Sequence, residues 1–345
     1  MKISVVIPFF QRERGLLSHA VESVTAQVLP IDYVIDIIVV DDGSPMPARD
    51  ETLVPLPDSV RLRILEQSNQ GVGAARNAGL EAAEPDTAVM AFLDSDDAWT
   101  PTHLSSAVEA INNGADFYFD NNIAYDGVDA FSYSTFIQKT HGTLDVNKPF
   151  TAIMSGPAGF EAILQECLPH TSQVAYKFTS HRGVRFSTHL RRAGEDQLFW
   201  LTVACRSKKI AYSTMIGGRR GFGVSIYRET LGWDSPNGPS RLADEIFMRS
   251  TISRNFDLSK SQRSLLRRDT QKSHDHFVFL ALRSTRRQPG GIASALRRIL
   301  TENPSSWGMF ARAIFNLPNH IRDLRKHGAT AQTAVCHTPG PLESR

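Results

Sequence analysis

Three carboxylates stand within four positions of the stretch FLDSDDAWTP, at Asp94, Asp96 and Asp97. An apolar run precedes them directly, which places them at the end of a buried strand. Like charges this close repel one another, and their burial costs free energy unless a positive charge lies among them. Oxygen ligands in a loop select Mg²⁺ or Mn²⁺, which complete their coordination with water and phosphate oxygens. The stretch therefore predicts a divalent cation that binds a diphosphate.

Three other interpretations of this stretch can be weighed. Aspartate and serine ahead of Pro101 are typical of a helix N-cap, although one carboxylate would suffice for that. An EF-hand loop is disfavoured, because the glycine and the distal glutamate are absent at the required spacing. A phosphohydrolase would use Asp94 as its nucleophile. Ala98 stands where that motif has threonine, and the motif usually ends the first strand.

The elements that position these side chains lie in the first part of the chain, where short apolar runs alternate with helical patterns. The patterns predict strands over residues 3–9, 34–41, 60–66, 88–93 and the stretch ADFYFDNNIAY, and helices over residues 15–28, 72–83 and after Pro101. Such alternation indicates an α/β fold with a mostly parallel sheet covered by helices on both faces. Ligands bind at the carboxyl ends of such strands, so Asp41 and Asp42 should share one rim with the first cluster.

Composition and charge limit the classes of protein to consider. The 345 residues, with 41% hydrophobic and 21% charged content, are ordinary for a globular chain with one large and one smaller domain. Residues 257–345 carry a charge balance of +9, which leaves −7 for residues 1–256. A basic tail indicates an anionic partner such as a phospholipid surface, or else a solvated helical face.

The location of the protein is predicted from its cysteines and its apolar runs. Three widely spaced cysteines without a CxxC pair favour a reducing compartment and give no support for a zinc site. No apolar run approaches the roughly 20 residues that span a bilayer, and Pro8 interrupts the N-terminal run too early for a signal peptide. We therefore expect a cytoplasmic protein, peripheral at the inner face of the plasma membrane.

Five motifs occur in order and at suitable spacing: SVVIPFFQRE, IIVVDDGS, NQGVGAARNAGL, FLDSDD and GEDQLFW. Together they resemble glycosyltransferase family 2, whose members are inverting nucleotide-sugar enzymes of the GT-A fold, and in particular bacterial exopolysaccharide glucosyltransferases of the succinoglycan type. The resemblance implies a GT-A domain over residues 1–225. A basic helical extension is expected over residues 226–327 and a disordered tail over residues 328–345.

The resemblance implies a set of donor-binding residues at the strand ends. In it, Phe10 stacks on uracil after the turn shaped by Pro8, and Asp42 accepts the uracil imide N–H. Arg76 faces the nucleotide or pairs with its acidic neighbours. The motif around Arg76 is not a dinucleotide fingerprint, because arginine replaces the third glycine and the motif follows the third strand. The complete implied set is Pro8, Phe10, Glu13, Asp42, Arg76, Asp94 and Ser95.

The resemblance also assigns the metal and the base. It implies that Asp96 is the ligand of Mg²⁺ or Mn²⁺, with Asp97 acting behind it or as a cap. Asp196 matches the general base, which deprotonates an acceptor hydroxyl. Read without the resemblance, Glu195 and Asp196 could equally form a favourable first helical turn.

Arg219 and Arg220 lie among glycines. Two interpretations are open: the loop closes over the diphosphate, or it is an exposed basic turn.

The function implied is the metal-dependent, inverting transfer of one hexose, glucose in the first instance, from a UDP-sugar to a lipid-linked oligosaccharide. The chain lacks the QxxRW motif of processive relatives, which favours the addition of a single sugar. The basic tail would contact anionic lipid or pack as a dimerisation element. Two alternatives are the phosphohydrolase that uses Asp94 and a sugar-nucleotide-binding module without turnover.

Overall fold

A computed structural model of the chain describes residues 1–145, 147–224, 228–230, 235–284 and 288–327. Nine strands form one sheet among these residues. The strands are β1 Lys2–Phe9, β2 Val34–Asp41, β3 Val60–Glu66, β4 Thr87–Phe92, β5 Ala98–Trp99, β6 Phe117–Ile123, β7 Thr151–Ser155, β8 Val174–Lys177 and β9 Lys209–Arg219. The tail predicted to be disordered, residues 328–345, lies outside the described residues.

The helices fall where the periodic patterns predict them in the first part of the chain. They are α1 Leu16–Thr25, α2 Val72–Ala82, α3 His103–Asn112, α4 Thr135–His141, α5 Gly156–Glu166, α6 Phe178–His181, α7 Glu195–Arg206, α8 Gly238–Asn255, α9 Lys260–Ser284, α10 Pro289–Glu302 and α11 Ser306–His327. The predicted boundaries of α2 and of the first four strands agree with these to within two residues. The predicted α/β fold with a mostly parallel central sheet and C-terminal helices is therefore confirmed.

The sheet has the order β3-β2-β1-β4-β8-β6-β9-β5, and β7 pairs with β9. Pairing is parallel from β3 through β4, as the sequence pattern predicts. The remaining half mixes directions: β8 is antiparallel to both β4 and β6, whereas β6 and β9 are parallel. The chain order reverses between β1 and β4, and in open α/β sheets such a reversal leaves a crevice at the carboxyl ends of the strands.

The parallel strands are buried on both faces, which explains their continuous apolar sequences. Along β1, every residue from Ile3 to Phe9 is buried, and α1 covers one face with Leu17, Ala20 and Val21. Helix α2 crosses the sheet so closely that a Cβ at Gly79 would lie 2.3 Å from Val6 Cγ1. The last glycine of the motif NQGVGAARNAGL therefore serves helix packing.

The chain divides into two compact units, 1–188 with 199–224, and 189–198 with 225–345. In the second unit, α8 packs against α9 and α10, and α9 packs against α11. Its apolar core is supplied by Leu242, Ala243, Ile246, Phe277, Leu280, Ile292, Ala295 and Ile299. The predicted domain boundary at residue 225 stays a prediction.

A charged group is buried beside this core. Glu245 contacts Arg241 and accepts a hydrogen bond from the Ser273 hydroxyl at 2.7 Å, and Arg249 donates to the same hydroxyl oxygen at 2.7 Å. These partners lower the pKa of Glu245, although burial, which is the largest single influence, acts to raise it.

Among the described residues, no helix combines the length and the hydropathy of a membrane span.

Candidate active site

The predicted rim forms where β1, β2 and β4 end. Phe10 follows β1 and is half-buried, Asp42 follows β2 and is buried, and Asp94 stands two residues after β4. Since these three strands are parallel neighbours, their ends lie at one edge of the sheet. The structure thus places the predicted nucleotide and diphosphate residues on the same edge.

The first carboxylate cluster has a cation beside it, as its charge requires. Arg76 on α2 is buried, and its Nη2 donates to Asp94 Oδ1 at 2.8 Å. The guanidinium carbon also lies 5.2 Å from the centroid of the Phe186 ring, which fixes the plane of the fork. Arg76 therefore pairs with its acidic neighbours, which was one of its two predicted roles.

Asp97 is the most deeply buried member of the cluster, with 3% of its side chain exposed. The Ser172 hydroxyl donates to its Oδ2 at 2.6 Å, and the Gly221 N–H donates to its Oδ1 at 2.9 Å. Burial raises the pKa of Asp97 to about 8, and the charges of Asp94 and Asp96 add to this effect. Asp97 is therefore a buried carboxyl that meets like charge from both of its neighbouring carboxylates.

The loop after β9 is hydrogen-bonded to the cluster. The Gly223 N–H donates to Asp96 Oδ2 at 2.7 Å, and the Val224 N–H donates to Gln11 Oε1 at 3.1 Å. Backbone approach is so close that a Cβ at Gly221 would lie 1.6 Å from the Asp96 carbonyl oxygen. Glycine is needed here because any side chain would displace the loop.

Three side chains bring metal-ligand atoms to one place. Asp94, Asp97 and His170 each offer one atom, and these atoms lie within 4.8 Å of one another. The His170 Nδ1 is 3.8 Å from Asp97 Oδ2. No metal role was predicted for His170, since it lies far along the chain from the cluster and no ligand spacing marks it. Asp96 lies beside this group and contacts Gly223, as described above.

Ser172 was also missed by sequence reasoning, although it joins two parts of the cluster. Besides donating to Asp97, its hydroxyl oxygen accepts the Asp94 N–H at 3.0 Å. Its carbonyl accepts the indole N–H of Trp99. A serine between two strands carries no periodic signal, so only the folded chain identifies it as the support of the carboxylate loop.

Asp42, the predicted uracil acceptor, holds the loop that leads into α2. Its Oδ1 accepts the Gln70 N–H at 2.7 Å and the Gln67 side-chain amide at 2.8 Å. Its Oδ2 accepts the Gly71 N–H at 2.8 Å. A carboxylate has about four acceptor positions, so three bonds leave room for one further donor.

The other predicted donor-binding residues occupy different environments. Pro8 lies inside β1, paired in register with Val40, and not in a turn as the sequence had indicated. Glu13 is exposed on the bend before α1. Ser95 is buried, and its hydroxyl accepts a hydrogen bond from the Gln11 amide at 3.0 Å. Of these three residues, Ser95 lies in the same loop as the three carboxylates.

The two arginines after the second half-sheet separate in the structure. Arg219 ends β9 and is exposed, whereas Arg220 is buried and donates through Nε to Asn122 Oδ1 at 2.9 Å. Burial lowers the pKa of Arg220, while Tyr125 and then Asp97 act in the opposite direction. The guanidinium carbon of Arg220 lies 5.9 Å from the Tyr125 ring centroid. An exposed basic turn is therefore wrong for Arg220.

Asp196 lies in the first turn of α7 and is half-buried. Its Oδ1 accepts the N–H of the next residue, Gln197, at 2.7 Å, and a carboxylate in the first helical turn interacts favourably with the helix dipole. Together with Glu195 it forms the acidic first turn that the sequence allowed. The role of Asp196 as general base stays a prediction.

The half-parallel sheet with an acidic group at its edge is that of the GT-A fold. The chain superposes on S. aureus TarS with a TM-score of 0.60 and 18% identity, covering 94% of this chain and 92% of that one. A mannosyltransferase from Pyrobaculum calidifontis gives a TM-score of 0.50 at 13% identity, over 96% of this chain and 84% of that one. These likenesses concern the fold.

Sequence relatives identify the family. The profile for glycosyl transferase family 2 matches residues 4–169. The succinoglycan biosynthesis protein ExoW of Rhizobium meliloti is 34% identical over 244 residues, which is 68% of this chain and 73% of that protein. An uncharacterized glycosyltransferase of Nostoc sp. is 35% identical over 188 residues, 51% of each chain. The chain belongs to glycosyltransferase family 2, and it is a glycosyltransferase.

Proposed function

We propose that the protein transfers one hexose, glucose, from a UDP-sugar to a hydroxyl of a lipid-linked oligosaccharide, with inversion at the anomeric carbon. The observation that carries this proposal is the acidic cluster at the end of β4, with Arg76 paired to Asp94. The name of the ExoW relative supports a place in exopolysaccharide biosynthesis. Crystal structures of S. aureus TarS hold UDP-GlcNAc and UDP, which supports a UDP-linked donor for this chain.

A divalent cation fits the residues at this site. The buried carboxyl of Asp97 has its pKa raised to about 8, largely by burial and then by Asp94 and Asp96, and a cation would relieve both effects. Asp94, Asp97 and His170 are candidate ligands by their proximity, and Asp96 by its place in the family motif. A carboxylate-rich set suits Mg²⁺ or Mn²⁺. When bound, such an ion stabilises negative charge on a departing diphosphate.

The protein's own groups would divide the remaining work. Asp42 is fixed by three N–H groups, so its open acceptor position would meet the uracil imide N–H at a defined place. Arg76 holds the Asp94 carboxylate in place through its hydrogen bond to Oδ1. Asp196 would accept the proton of the acceptor hydroxyl, a step that typically contributes roughly 10²–10⁴-fold to the rate. Attack from the face opposite the diphosphate would give the inverted product.

A panel of UDP-sugars with Mn²⁺ tests the donor and the acceptor together. UDP release should be fastest with UDP-glucose and should require both the cation and a lipid-linked glycan. Asp196→Asn should bind UDP normally and lose most of the transfer rate, since the amide cannot take the proton. A variant that retained the full rate would refute the base assignment.

Membership of the family weakens both alternative functions. A phosphohydrolase would form a phospho-aspartyl intermediate on Asp94, yet that carboxylate is engaged by Arg76. Trapping with a phosphate mimic should therefore leave Asp94 unmodified. A binding module without turnover would show UDP affinity and no sugar transfer with any donor of the panel.

The acceptor's lipid requires that the protein reach a membrane, and α11 offers a surface for this. Trp307, Ile314 and Phe315 are exposed by 66%, 62% and 85%, and the spacing of seven and eight residues puts them on one helix face. Arg312 and Arg322 are exposed on the same helix. Aromatic and aliphatic side chains flanked by arginine are typical of helices at anionic bilayer interfaces.

The exposed area also favours a membrane over a second copy of the chain. The three side chains expose on the order of 400 Å² together, about half of what each partner buries in a standard protein interface. Full burial of that area would be worth up to about 10 kcal/mol. We therefore propose that the α11 face enters the interface of the inner leaflet.

Vesicle flotation tests this contact. Phe315→Ser should weaken binding to anionic vesicles about tenfold or more, and Val28→Ser, at a site 63% exposed in the other unit, should leave it unchanged. Neutral vesicles should bind less of the parent protein than anionic ones. If the protein instead dimerises through α11, Phe315→Ser will change its sedimentation and not its flotation.

A further inference from the structure

A buried carboxylate from α8 holds the segment that leads to Asp196. Asp244 has 1% of its side chain exposed. Its Oδ2 accepts two consecutive backbone N–H groups, that of Arg191 at 3.0 Å and that of Arg192 at 2.7 Å. A carboxylate with two amide donors on one oxygen fixes the path of the backbone at that point.

Helix α10 contributes the opposite charge to the same anchor. Arg298 contacts Asp244 Oδ1 through Nη1. Through Nη2 it donates to the His189 carbonyl at 2.8 Å. The guanidinium carbon lies 5.6 Å from the ring centroid of Phe247 on α8, which restricts its orientation further. The segment is therefore held by its N–H groups on one side and by a carbonyl on the other.

A second contact with α8 lies two residues before Asp196. Gly194 has a φ of 86°, a left-handed conformation that favours glycine. A Cβ at this position would lie 2.5 Å from Met248 Sδ. Met248 is four residues after Asp244, one turn along the helix, so both contacts come from one face of α8. Residues 191–194 are thus fixed at two points.

We propose that Asp244 is a positioning residue for the glycosyl transfer, acting through residues 191–194 on the orientation of Asp196. The inference rests on the proposed role of Asp196 as base. A base must reach the hydroxyl at about hydrogen-bond distance, and a misplacement of roughly 1 Å costs on the order of 10²-fold in rate.

The test compares Asp244→Asn with Glu245→Gln in the full-length protein. The asparagine is nearly isosteric but provides a weaker, uncharged acceptor, so UDP release from UDP-glucose should fall about 10–100-fold in kcat, with KM for the donor within about twofold. Exchange of the Arg191 and Arg192 amide hydrogens should accelerate at least about tenfold. Glu245→Gln alters a neighbouring buried carboxylate that bonds Ser273 on α9. It should lower the melting temperature and leave kcat and both amides nearly unchanged.

The outcomes separate this inference from the function on which it rests. Equal losses of kcat in the two variants would mean that α8 acts only through stability, and the inference would be wrong. An unchanged kcat with faster amide exchange would equally refute it. If Asp196→Asn keeps its rate, the base assignment fails, while amide exchange still reports whether Asp244 holds the segment.

A second variant covers the case in which Asp244→Asn does not fold. Arg298→Gln leaves Asp244 in place and removes the charged partner and the bond to the His189 carbonyl. It should lower kcat about three- to tenfold, and Arg298→Lys should recover part of that loss. If Arg298→Gln folds and keeps the kinetics of the parent, the inference that the segment is held both by its N–H groups and by its carbonyl would be wrong.

Discussion

Removal of the Asp97 carboxylate should stabilise the metal-free protein. The pKa of this group is raised from 3.8 to about 8, by burial first and then by Asp94 and Asp96. Between these two pH values the unfolded chain has released the proton and the folded protein still holds it. The unfolded chain therefore binds fewer protons, and the free energy of unfolding falls as pH rises through this interval.

The size of the effect follows from the shift. One pKa unit corresponds to about 1.4 kcal/mol, so the shift of the Asp97 pKa from 3.8 to about 8 corresponds to a loss of roughly 5 kcal/mol in the free energy of unfolding. Asp97→Asn keeps the shape and can still accept from Ser172 or Gly221, but it carries no charge at any pH. At about pH 8 in EDTA, the variant should exceed the parent in stability by a few kcal/mol, and at about pH 4 the two should agree.

Urea unfolding of both proteins across this range measures the difference. Asp120 and Asp244 are also buried carboxyls with raised pKa values, so the parent's own slope contains their effects, and the difference between parent and variant isolates Asp97. Mn²⁺ should stabilise the parent more than the variant. Asp50→Asn, at an exposed site, controls for the change in net charge. A parent-minus-variant difference that stays constant from about pH 4 to pH 8 would refute the reasoning.

Three further predictions concern other parts of the molecule. The Cβ added by Gly221→Ala would lie 1.6 Å from the Asp96 carbonyl oxygen, so the loop must shift. The substitution should lower the free energy of unfolding in urea by about 2–4 kcal/mol and should weaken Mn²⁺ binding. Mn²⁺ binding equal to that of the parent would contradict this prediction. Ser172→Ala should reduce cation affinity about tenfold by calorimetry, since the buried carboxylate loses its hydroxyl donor; Ser132→Ala, at an exposed site, is the control. Burial, with Arg241 and the neighbouring imidazole, lowers the pKa of His276 to about 3. Relative to His276→Gln, the free energy of unfolding of the parent should therefore rise by about 1.4 kcal/mol per pH unit from about pH 3 to pH 6.5, and a difference that stays constant over this range would exclude this cause.

The first half of the sheet was predictable because its strands are buried on both faces. Such strands are continuous apolar runs bounded by turns, and β1, β2 and β3 end within a residue of their predicted limits. Their carboxyl ends then share an edge by topology alone, so the placement of Asp42 and Asp94 at the same edge of the sheet also followed from the sequence. The second half-sheet mixes directions, and short strands such as β5 and β8 carry no comparable signal.

The supports of the site could not be predicted for a different reason. Ser172 contacts Asp97 from 75 positions away, and Asp244 contacts Arg192 from 52 positions away. Contacts of that separation leave no periodicity or fixed spacing in the sequence. Asp97 illustrates the same limit, since the motif marks three carboxylates and only the fold determines which of them is buried.

The loop after β9 combines constraint and freedom in three successive residues. Gly221 and Gly223 donate from the backbone to the acidic cluster and have no room for a side chain. Phe222 between them is 71% exposed and packs on the Tyr125 ring at 5.6 Å. The N–H groups of Gly221 and Gly223 remain whatever side chain stands at position 222. Substitutions of Phe222 could therefore change the outer surface of the enzyme while the hydrogen bonds to Asp96 and Asp97 stay the same.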